Sequence, residues 1–249
     1  MNGKANEPSS LLRRPTPVAA PRIRLVCLPH AGGAATAYRQ WPRSLPGDVE
    51  MLAVQYPGRQ DLVNERCIDD MTELADVVTD SLLPYTDVPL ALFGHSMGAL
   101  VAYEVAWRLE HRHGVVPRAL FVSAQKPPHL QDRGDLHLRG DQALIAEVNR
   151  LGDVDPIIFT DPDLRDLVLP AIRGDFHLLG TYDPEPGRTI SAPLVAHLGD
   201  RDPDVDLASV LGWSKTTTGP ADHRVWEGDH FYLVQQEAAL LGDLAERLR

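Results

Sequence analysis

Cysteine is scarce in this chain of 249 residues, which has only Cys27 and Cys67. A chain of this length can bury a core without disulfides, so we expect two free thiols. Neither cysteine lies in a local signature of a catalytic cysteine. The 10 histidines include no H-E-x-x-H pattern and no Cys/His cluster with the spacing of metal ligands. The sequence therefore predicts no metal centre, no cysteine nucleophile and no cofactor.

Basic charge and long hydrophobic runs are lacking as well. Lysine and arginine number 24 against 35 acidic residues, for a formal net charge of −11. This balance argues against a nucleic-acid-binding surface. No run of about 18 apolar residues is long enough to span a membrane, and the N-terminal segment has no apolar stretch typical of a secretory signal. We therefore expect a cytoplasmic monomer without nucleic-acid or membrane partners.

What the sequence does contain is an alternation of short apolar segments with longer amphipathic ones. This alternation predicts βαβ units and an α/β fold, with a mostly parallel sheet flanked by helices. The strand-like segments are "RIRLVCL", "VEMLAVQY", "LALF", "RALFVSA", "PLVAHL" and "HRVW". Residues 1 to 20 are polar and broken by prolines, which favours a flexible tail. We expect the core in residues 21 to 124 and 189 to 249.

The alternation stops between residues 125 and 188. This segment offers a helix over 141 to 151 and a second over 163 to 182, which Pro170 and Gly174 should kink or break. It contains no convincing strand. We interpret it as an inserted helical segment, either a structural elaboration or a lid over the active site. The lid is favoured because insertions above α/β sheets often gate sites.

One turn carries the chemistry: "LALFGHSMGALVAYEVAWRL", residues 90 to 109. An apolar strand ends at Gly94, and an amphipathic helix begins after Gly98. Between them stands G-x-S-x-G, a pattern in which a sharp strand-to-helix turn presents the serine hydroxyl at the edge of the sheet. Ser96 is therefore the predicted nucleophile, while His95 inside the turn is expected to pack beneath it.

A serine nucleophile needs a histidine base and an acid that orients it, in the chain order Ser, Asp, His for this topology. The segment "GDHFYLV" places His230 before the last helix, where the base belongs. Four aspartates compete for the acid's role after the preceding strand. Asp202 is favoured because it lies three positions past Gly199, and Asp200 is the second choice. The remaining two candidates are Asp204 and Asp206.

Acyl transfer also needs two backbone N–H groups to bind the oxyanion. One is predicted to come from Met97, directly after the nucleophile. The other is expected from the loop "PHAGG" after the first strand, which resembles the HGGG loop of esterases, with Ala31 as the donor. A glycine pair there also fits a tight turn or a phosphate-binding nest, but the other residues of a P-loop are missing.

Five segments, "LPHAGG", "VQYPGR", "LFGHSMGALVAYEVA", "GDRDPDV" and "GDHFYL", follow one another in this order. Together they resemble the type II thioesterases that accompany modular polyketide synthases and nonribosomal peptide synthetases. The resemblance runs from about Arg22 to the C-terminus. It implies an α/β-hydrolase fold with a helical lid, and it implies Ser96 as nucleophile, Asp202 as acid and His230 as base.

The resemblance also implies a substrate, the acyl group on the phosphopantetheine arm of an acyl or peptidyl carrier protein. Its implied role is editing, the removal of aberrant or stalled chains. Two other interpretations remain open: a general carboxylesterase or chain-releasing thioesterase, and a non-catalytic binding module, which would be expected to have a damaged triad. The free N-terminal tail argues against a chain-releasing domain.

Carrier proteins are usually acidic, so a chain with a net charge of −11 must dock through a local basic or apolar patch. The inserted segment offers three arginines for such a patch, and the sequence does not choose among them. They are Arg133, Arg139 and Arg150.

Overall fold

The computed structural model describes residues 11–132, 134–152 and 157–249. Seven strands form one sheet in the order β1-β3-β2-β4-β5-β6-β7. All neighbouring strands are parallel except β1, which pairs antiparallel with β3. The strands are β1 (Leu12–Arg13), β2 (Ile23–Leu28), β3 (Val49–Val54), β4 (Leu90–His95), β5 (Ala119–Ser123), β6 (Leu194–Gly199) and β7 (Ala221–Trp226).

Helices cover both faces of this sheet, as the α/β alternation predicted, and the predicted fold class is confirmed. The α-helices are α1 (Met71–Leu82), α2 (Met97–His113), α3 (Asp141–Leu151), α4 (Ile157–Thr160), α5 (Pro162–Thr181), α6 (Leu207–Leu211), α7 (Tyr232–Gln235) and α8 (Glu237–Arg247). Within the described ranges, no helix combines the length and the apolarity that a bilayer crossing requires.

The central strands are apolar at nearly every position because both faces of the sheet are buried. In β2, Val26 and Leu28 point into the core that contains α1 and α2. Leu25 and Cys27 point into the opposite core, which contains α8. Successive side chains of a strand alternate between faces, so a strand covered on both sides needs a continuous apolar run.

The end of the predicted N-terminal tail is part of the sheet. Leu12 pairs with Val54, and both Leu11 and Leu12 are buried. The prediction of a flexible tail over residues 1 to 20 is therefore wrong at residues 11 to 13, and residues 1–10 lie outside the described part of the chain. β1 pairs with the outer edge of β3, and burial of two leucines there outweighs the effect of the nearby prolines.

Three helices, α3, α4 and α5, lie between β5 and β6, within the segment predicted as an insertion. They share a small core of Leu144, Val148, Phe159 and Ile172. Helix α5 continues through Pro170, so the predicted break does not occur, and the predicted kink stays a prediction. A proline inside a helix removes a single backbone hydrogen bond, and the burial of α5 side chains on both sides of Pro170 compensates for that loss.

Candidate active site

The turn around Ser96 joins β4 to α2 at the carboxyl edge of the sheet. Ser96 has φ +53° and ψ −122°, a region that non-glycine residues rarely adopt. A serine that precedes a helix normally accepts a hydrogen bond from the first turn. Ser96 makes no such capping hydrogen bond. Its hydroxyl is therefore not engaged by α2.

Glycine is required on both sides of Ser96 because the backbones approach closely. A Cβ atom at Gly94 would lie 2.0 Å from the carbonyl oxygen of Gly98. One at Gly98 would lie 2.1 Å from the carbonyl oxygen of Leu28, at the end of β2. Both distances are far below van der Waals contact. The G-x-S-x-G pattern therefore follows from how tightly the strand, the helix and the end of β2 pack.

His95 lies fully buried beneath the turn. Its Nδ1 atom is 2.9 Å from the Oγ atom of Ser123, which in turn lies 2.7 Å from the hydroxyl of Tyr232. Burial, together with the nearby His230 and His30, lowers the pKa of His95 well below its usual value. His95 is therefore a neutral packing residue, a role that leaves the base position to another histidine.

Asp202 and His230 meet above the carboxyl ends of β6 and β7. The Nδ1 atom of His230 lies 2.8 Å from the Oδ2 atom of Asp202, and both side chains are buried. An ionised carboxylate only accepts hydrogen bonds, so Nδ1 carries the proton and Nε2 keeps its lone pair. Within the described part of the chain, His230 Nε2 has no hydrogen-bond partner. The pair thus presents a free basic nitrogen.

The other three candidate acids make different contacts. Asp200 accepts a hydrogen bond from the N–H of Gly228 at 2.8 Å, which fastens the acid loop to the loop before His230. Asp204 pairs with Arg150 at 2.5 Å. Asp206 caps α6 by accepting from the N–H of Ser209 at 2.8 Å. Of the four aspartates, Asp202 is the one whose carboxylate contacts His230, and its other oxygen accepts from the Asp204 N–H at 2.9 Å.

The two predicted oxyanion donors come from two segments, the loop after β2 and the start of α2. Met97 is the first residue of α2, so its N–H has no acceptor within the helix. Ala31 belongs to the loop after β2, and its N–H makes no hydrogen bond to the described residues. Ala31, Ser96 and His230 line the same cavity. The free amide groups therefore stand next to a serine and an imidazole.

This cavity has a volume of about 610 Å³. Its lining includes Ser96, His230 and Ala31, and the inserted helices contribute apolar side chains such as Val148 and Phe176. The insertion therefore lines the same cavity as the serine, and its role as a lid stays a prediction. A site with a few convergent polar groups and an apolar wall is suited to binding an acyl chain next to its reactive carbonyl.

His177, His197 and the two cysteines do not line the cavity of Ser96. His197 is buried and accepts a hydrogen bond from Trp226 Nε1 at 3.0 Å. His177 lies on α5 with Nδ1 3.1 Å from the carbonyl oxygen of Asp69. Burial raises the pKa of both thiols, Cys27 and Cys67, which makes them poor nucleophiles. Across the ranges that the structure covers, no group of three or more His, Cys, Asp or Glu residues could hold a metal ion.

Two of the three arginines proposed for docking are engaged in ion pairs. Arg150 bridges Glu147 and Asp204, with N–O distances of 2.6 and 2.5 Å. Arg139 pairs with Asp135 at 2.6 Å on an exposed surface. Arg133 lies outside the described residues. Arg150 therefore links the insertion to the acid loop rather than standing free for a partner.

Sequence reasoning missed two buried charged residues close to the site, Arg59 and Asp175. Arg59 belongs to the "YPGR" segment, for which the sequence assigned no role. Asp175 lies on the buried face of α5, three residues after Ile172 and three before Leu178. A carboxylate in the middle of an apolar helix face was the signal that could have found it, because such a group needs a buried partner.

The parallel sheet, the strained serine turn at its carboxyl edge, and the Asp–His pair on the following loops define the α/β-hydrolase class. Comparison with known proteins identifies the family within this class. The thioesterase domain family matches residues 23–248. The chain is 42% identical over 238 residues to the thioesterase PikA5 of Streptomyces venezuelae, covering 95% of this chain and 85% of that protein.

Two solved structures are also similar. The type II thioesterase BorB from the borrelidin biosynthetic cluster has a TM-score of 0.89 and 40% identity, covering 98% of this chain and 100% of that one. YbtT, a type II thioesterase from the yersiniabactin NRPS/PKS biosynthetic pathway, has a TM-score of 0.86 and 29% identity, covering 95% and 97%. The chain belongs to the thioesterase family and is a thioester hydrolase. The resemblance inferred from its motifs is confirmed.

Proposed function

We propose that this thioesterase is a type II enzyme of a polyketide or nonribosomal peptide pathway. Its substrates are acyl groups on the phosphopantetheine arm of acyl or peptidyl carrier proteins, and its role is to remove aberrant or stalled groups. The relatives named above, which share 29% to 42% of their residues with it, support the pathway. The observation that carries the chemistry is the buried Asp202–His230 pair: its histidine lines the cavity of Ser96, and its Nε2 has no hydrogen-bond partner among the described residues.

In the proposed mechanism, His230 Nε2 takes the proton of Ser96 as its Oγ atom attacks the thioester carbonyl carbon. The negative charge on the carbonyl oxygen is bound by the N–H groups of Ala31 and Met97. The C–S bond then breaks, and the imidazolium gives its proton to the departing thiolate. Water, activated by His230, attacks the acyl-serine ester, which releases the carboxylic acid and restores Ser96. Asp202 stabilises the imidazolium throughout.

A fluorophosphonate probe tests the nucleophile, because it forms a covalent bond to an activated serine. We expect one label per chain on Ser96, and we expect Ser96→Ala to stay folded while it loses both label and turnover. Labelling of another serine, with activity retained in Ser96→Ala, would remove Ser96 from its role.

The substrate is tested by comparing one short acyl group in three forms: on a carrier protein, on a truncated pantetheine thioester, and as a p-nitrophenyl ester. An enzyme that clears many different groups must rely on what its substrates share, the arm and the carrier surface. We therefore expect kcat/KM to be highest on the carrier protein, with broad tolerance of short chains. Equal or better activity on the simple ester would favour a general carboxylesterase.

A further inference from the structure

A buried ion pair joins the helical insertion to the segment that follows β3. Arg59 Nη1 donates to Asp175 Oδ2 at 2.6 Å, and Nη2 donates to Oδ1 at 2.8 Å, so the pair is bidentate. The two side chains are only 7% and 1% exposed. Asp175 stands on α5, whereas Arg59 follows β3. The contact therefore connects an inserted helix with the body of the fold.

The same two side chains also hold the backbone of the loop. The N–H of Gly32 donates to Asp175 Oδ2 at 2.7 Å. Arg59 Nη1 donates in addition to the carbonyl oxygen of Gly33 at 3.1 Å. One carboxylate and one guanidinium thus fix the two residues that follow Ala31.

The loop's own turn fixes the peptide that precedes Ala31. The N–H of Gly33 donates to the carbonyl oxygen of His30 at 3.0 Å. A trans peptide points its C=O and N–H in opposite directions. Because the His30 carbonyl faces Gly33, the N–H of Ala31 faces the other way and stays free. The orientation of this N–H therefore depends on the position of Gly32 and Gly33.

We infer that Asp175 and Arg59 are positioning residues for the oxyanion hole, and that α5 completes the active site through Gly32. The inference rests on the proposed function, because it takes the Ala31 N–H as an oxyanion donor. Buried ion pairs contribute little net stability compared with apolar residues of similar size. An apolar pair could not accept the hydrogen bond that the Gly32 N–H donates to Asp175, so this ion pair can position the loop as well as pack.

The double variant Arg59→Met/Asp175→Leu separates positioning from stability. Both charges are removed together, so no buried charge is left unpaired, and we expect a melting temperature close to that of the wild type. Gly32 loses its acceptor, so we expect kcat to fall by about 10- to 100-fold with KM within about twofold. The inhibition constant of an alkylboronic acid, whose adduct with Ser96 mimics the oxyanion, should rise by a similar factor.

Asp175→Asn is the second variant, should the double variant fail to fold. Its amide oxygen still accepts from Gly32 but loses the charge that holds Arg59, so we expect a smaller loss of kcat and a lower melting temperature. The matched control is Glu50→Gln, which weakens the buried Arg24–Glu50 pair near the amino ends of β2 and β3, away from the carboxyl ends that carry the site. It should lower stability and leave kcat unchanged at temperatures where the protein is folded.

Wild-type kcat and boronate affinity in a folded double variant, or in folded Asp175→Asn, would overturn the inference. A loss of kcat in Glu50→Gln equal to that in Asp175→Asn would overturn it as well, because any buried pair would then have the same effect. Failure of the proposed function gives a different result: Ser96→Ala would keep its thioesterase activity whatever the state of Asp175.

Discussion

Asp202 and His230 are 28 residues apart in the chain, yet Oδ2 of the first lies 2.8 Å from Nδ1 of the second. Parallel strands β6 and β7 bring them together, since each residue follows the carboxyl end of its strand. Asp200 strengthens this arrangement through its hydrogen bond to the N–H of Gly228 at 2.8 Å. Asp202 therefore contacts the imidazole of His230, whereas Asp200 fixes the loop that precedes it.

The first prediction separates these tasks by paired substitution. Asp202→Asn removes the charge that stabilises the imidazolium and allows the wrong tautomer, so we expect kcat to fall by about 10⁴-fold. Asp200→Asn keeps a side-chain oxygen that can accept from Gly228, so we expect less than about a tenfold loss. Steady-state hydrolysis of an acyl-pantetheine thioester measures both. The reverse ranking would transfer the acid's role to Asp200.

Much of this site could be predicted from the sequence because its parts depend on local patterns. The position of Ser96 could be predicted because it lies between two glycines, after an apolar strand and before an amphipathic helix. At each of these glycines a Cβ atom would lie about 2 Å from a backbone carbonyl oxygen. His230 and Asp202 follow from chain order, because the topology places loops after successive strands at one edge. The choice between Asp202 and Asp200 depended on a single turn position, and the structure provides the contact with His230.

Contacts between distant segments could not be predicted in this way. Asp175 and Arg59 are 116 residues apart, and no periodicity links them. Leu11 and Leu12 stood among prolines, so their place beside β3 depended on an open sheet edge that is visible only once the sheet is formed. The continuity of α5 through Pro170 likewise depends on packing from both sides, which propensity alone does not measure.

The second prediction concerns the close packing behind the nucleophile. In Gly98→Ala the new Cβ would lie 2.1 Å from the Leu28 carbonyl oxygen and 2.6 Å from that of Pro29. The end of β2 must then shift, together with the loop that carries Ala31. We expect a loss of roughly 1–3 kcal/mol in unfolding free energy and a clear loss of kcat, measured by urea denaturation and thioester hydrolysis.

Gly242→Ala serves as the matched control. A Cβ atom at this position of α8 meets nothing within 4 Å beyond the neighbouring backbone of its own helix, and alanine favours a helix over glycine by about 0.5–1 kcal/mol. The control should therefore be neutral or slightly stabilising with unchanged turnover. Full activity in Gly98→Ala would show that the loop tolerates displacement.

The third prediction concerns motion of the insertion. Helix α3 is held to the acid loop by the exposed pair Arg150–Asp204, whereas α5 is held by the buried pair Arg59–Asp175. Exposed pairs contribute roughly 0–1 kcal/mol, so α3 should open more readily than α5. We expect hydrogen exchange to be faster over residues 141–151 than over the part of α5 around Asp175, and faster still over 141–151 in Arg150→Gln.

The control for this substitution is Arg165→Gln on α5, whose guanidinium pairs with the adjacent Asp166 at 3.3 Å. It removes the same charge without touching the acid loop, so exchange over residues 141–151 should stay as in the wild type. A bound acyl ligand should slow exchange in α3, because Val148 lines the cavity. Equal exchange in α3 and α5, with no effect of the ligand, would favour a rigid insertion.

The last prediction concerns stability at mildly acidic pH. Burial lowers the pKa of His197 to about 3 and that of His95 well below its usual value. In the unfolded chain both histidines take up protons near pH 6.5. The unfolded state therefore binds more protons than the folded state below that pH, and stability falls as the pH decreases from 6.5. Each histidine contributes about 1.4 kcal/mol per pH unit once its unfolded form is fully protonated.

The window from pH 6.5 to 5 separates the histidines from the carboxylates, most of which titrate below it. Urea denaturation across the window should show a steep loss of unfolding free energy, on the order of 2 kcal/mol for each of the two histidines at pH 5. In His197→Gln the amide oxygen can still accept from Trp226, but the titrating group is gone. We expect this variant to be less stable at neutral pH and to show about half the dependence of the wild type. A wild-type protein whose stability is constant from pH 6.5 to 5, or a variant with the full dependence, would contradict the assignment of neutral buried histidines.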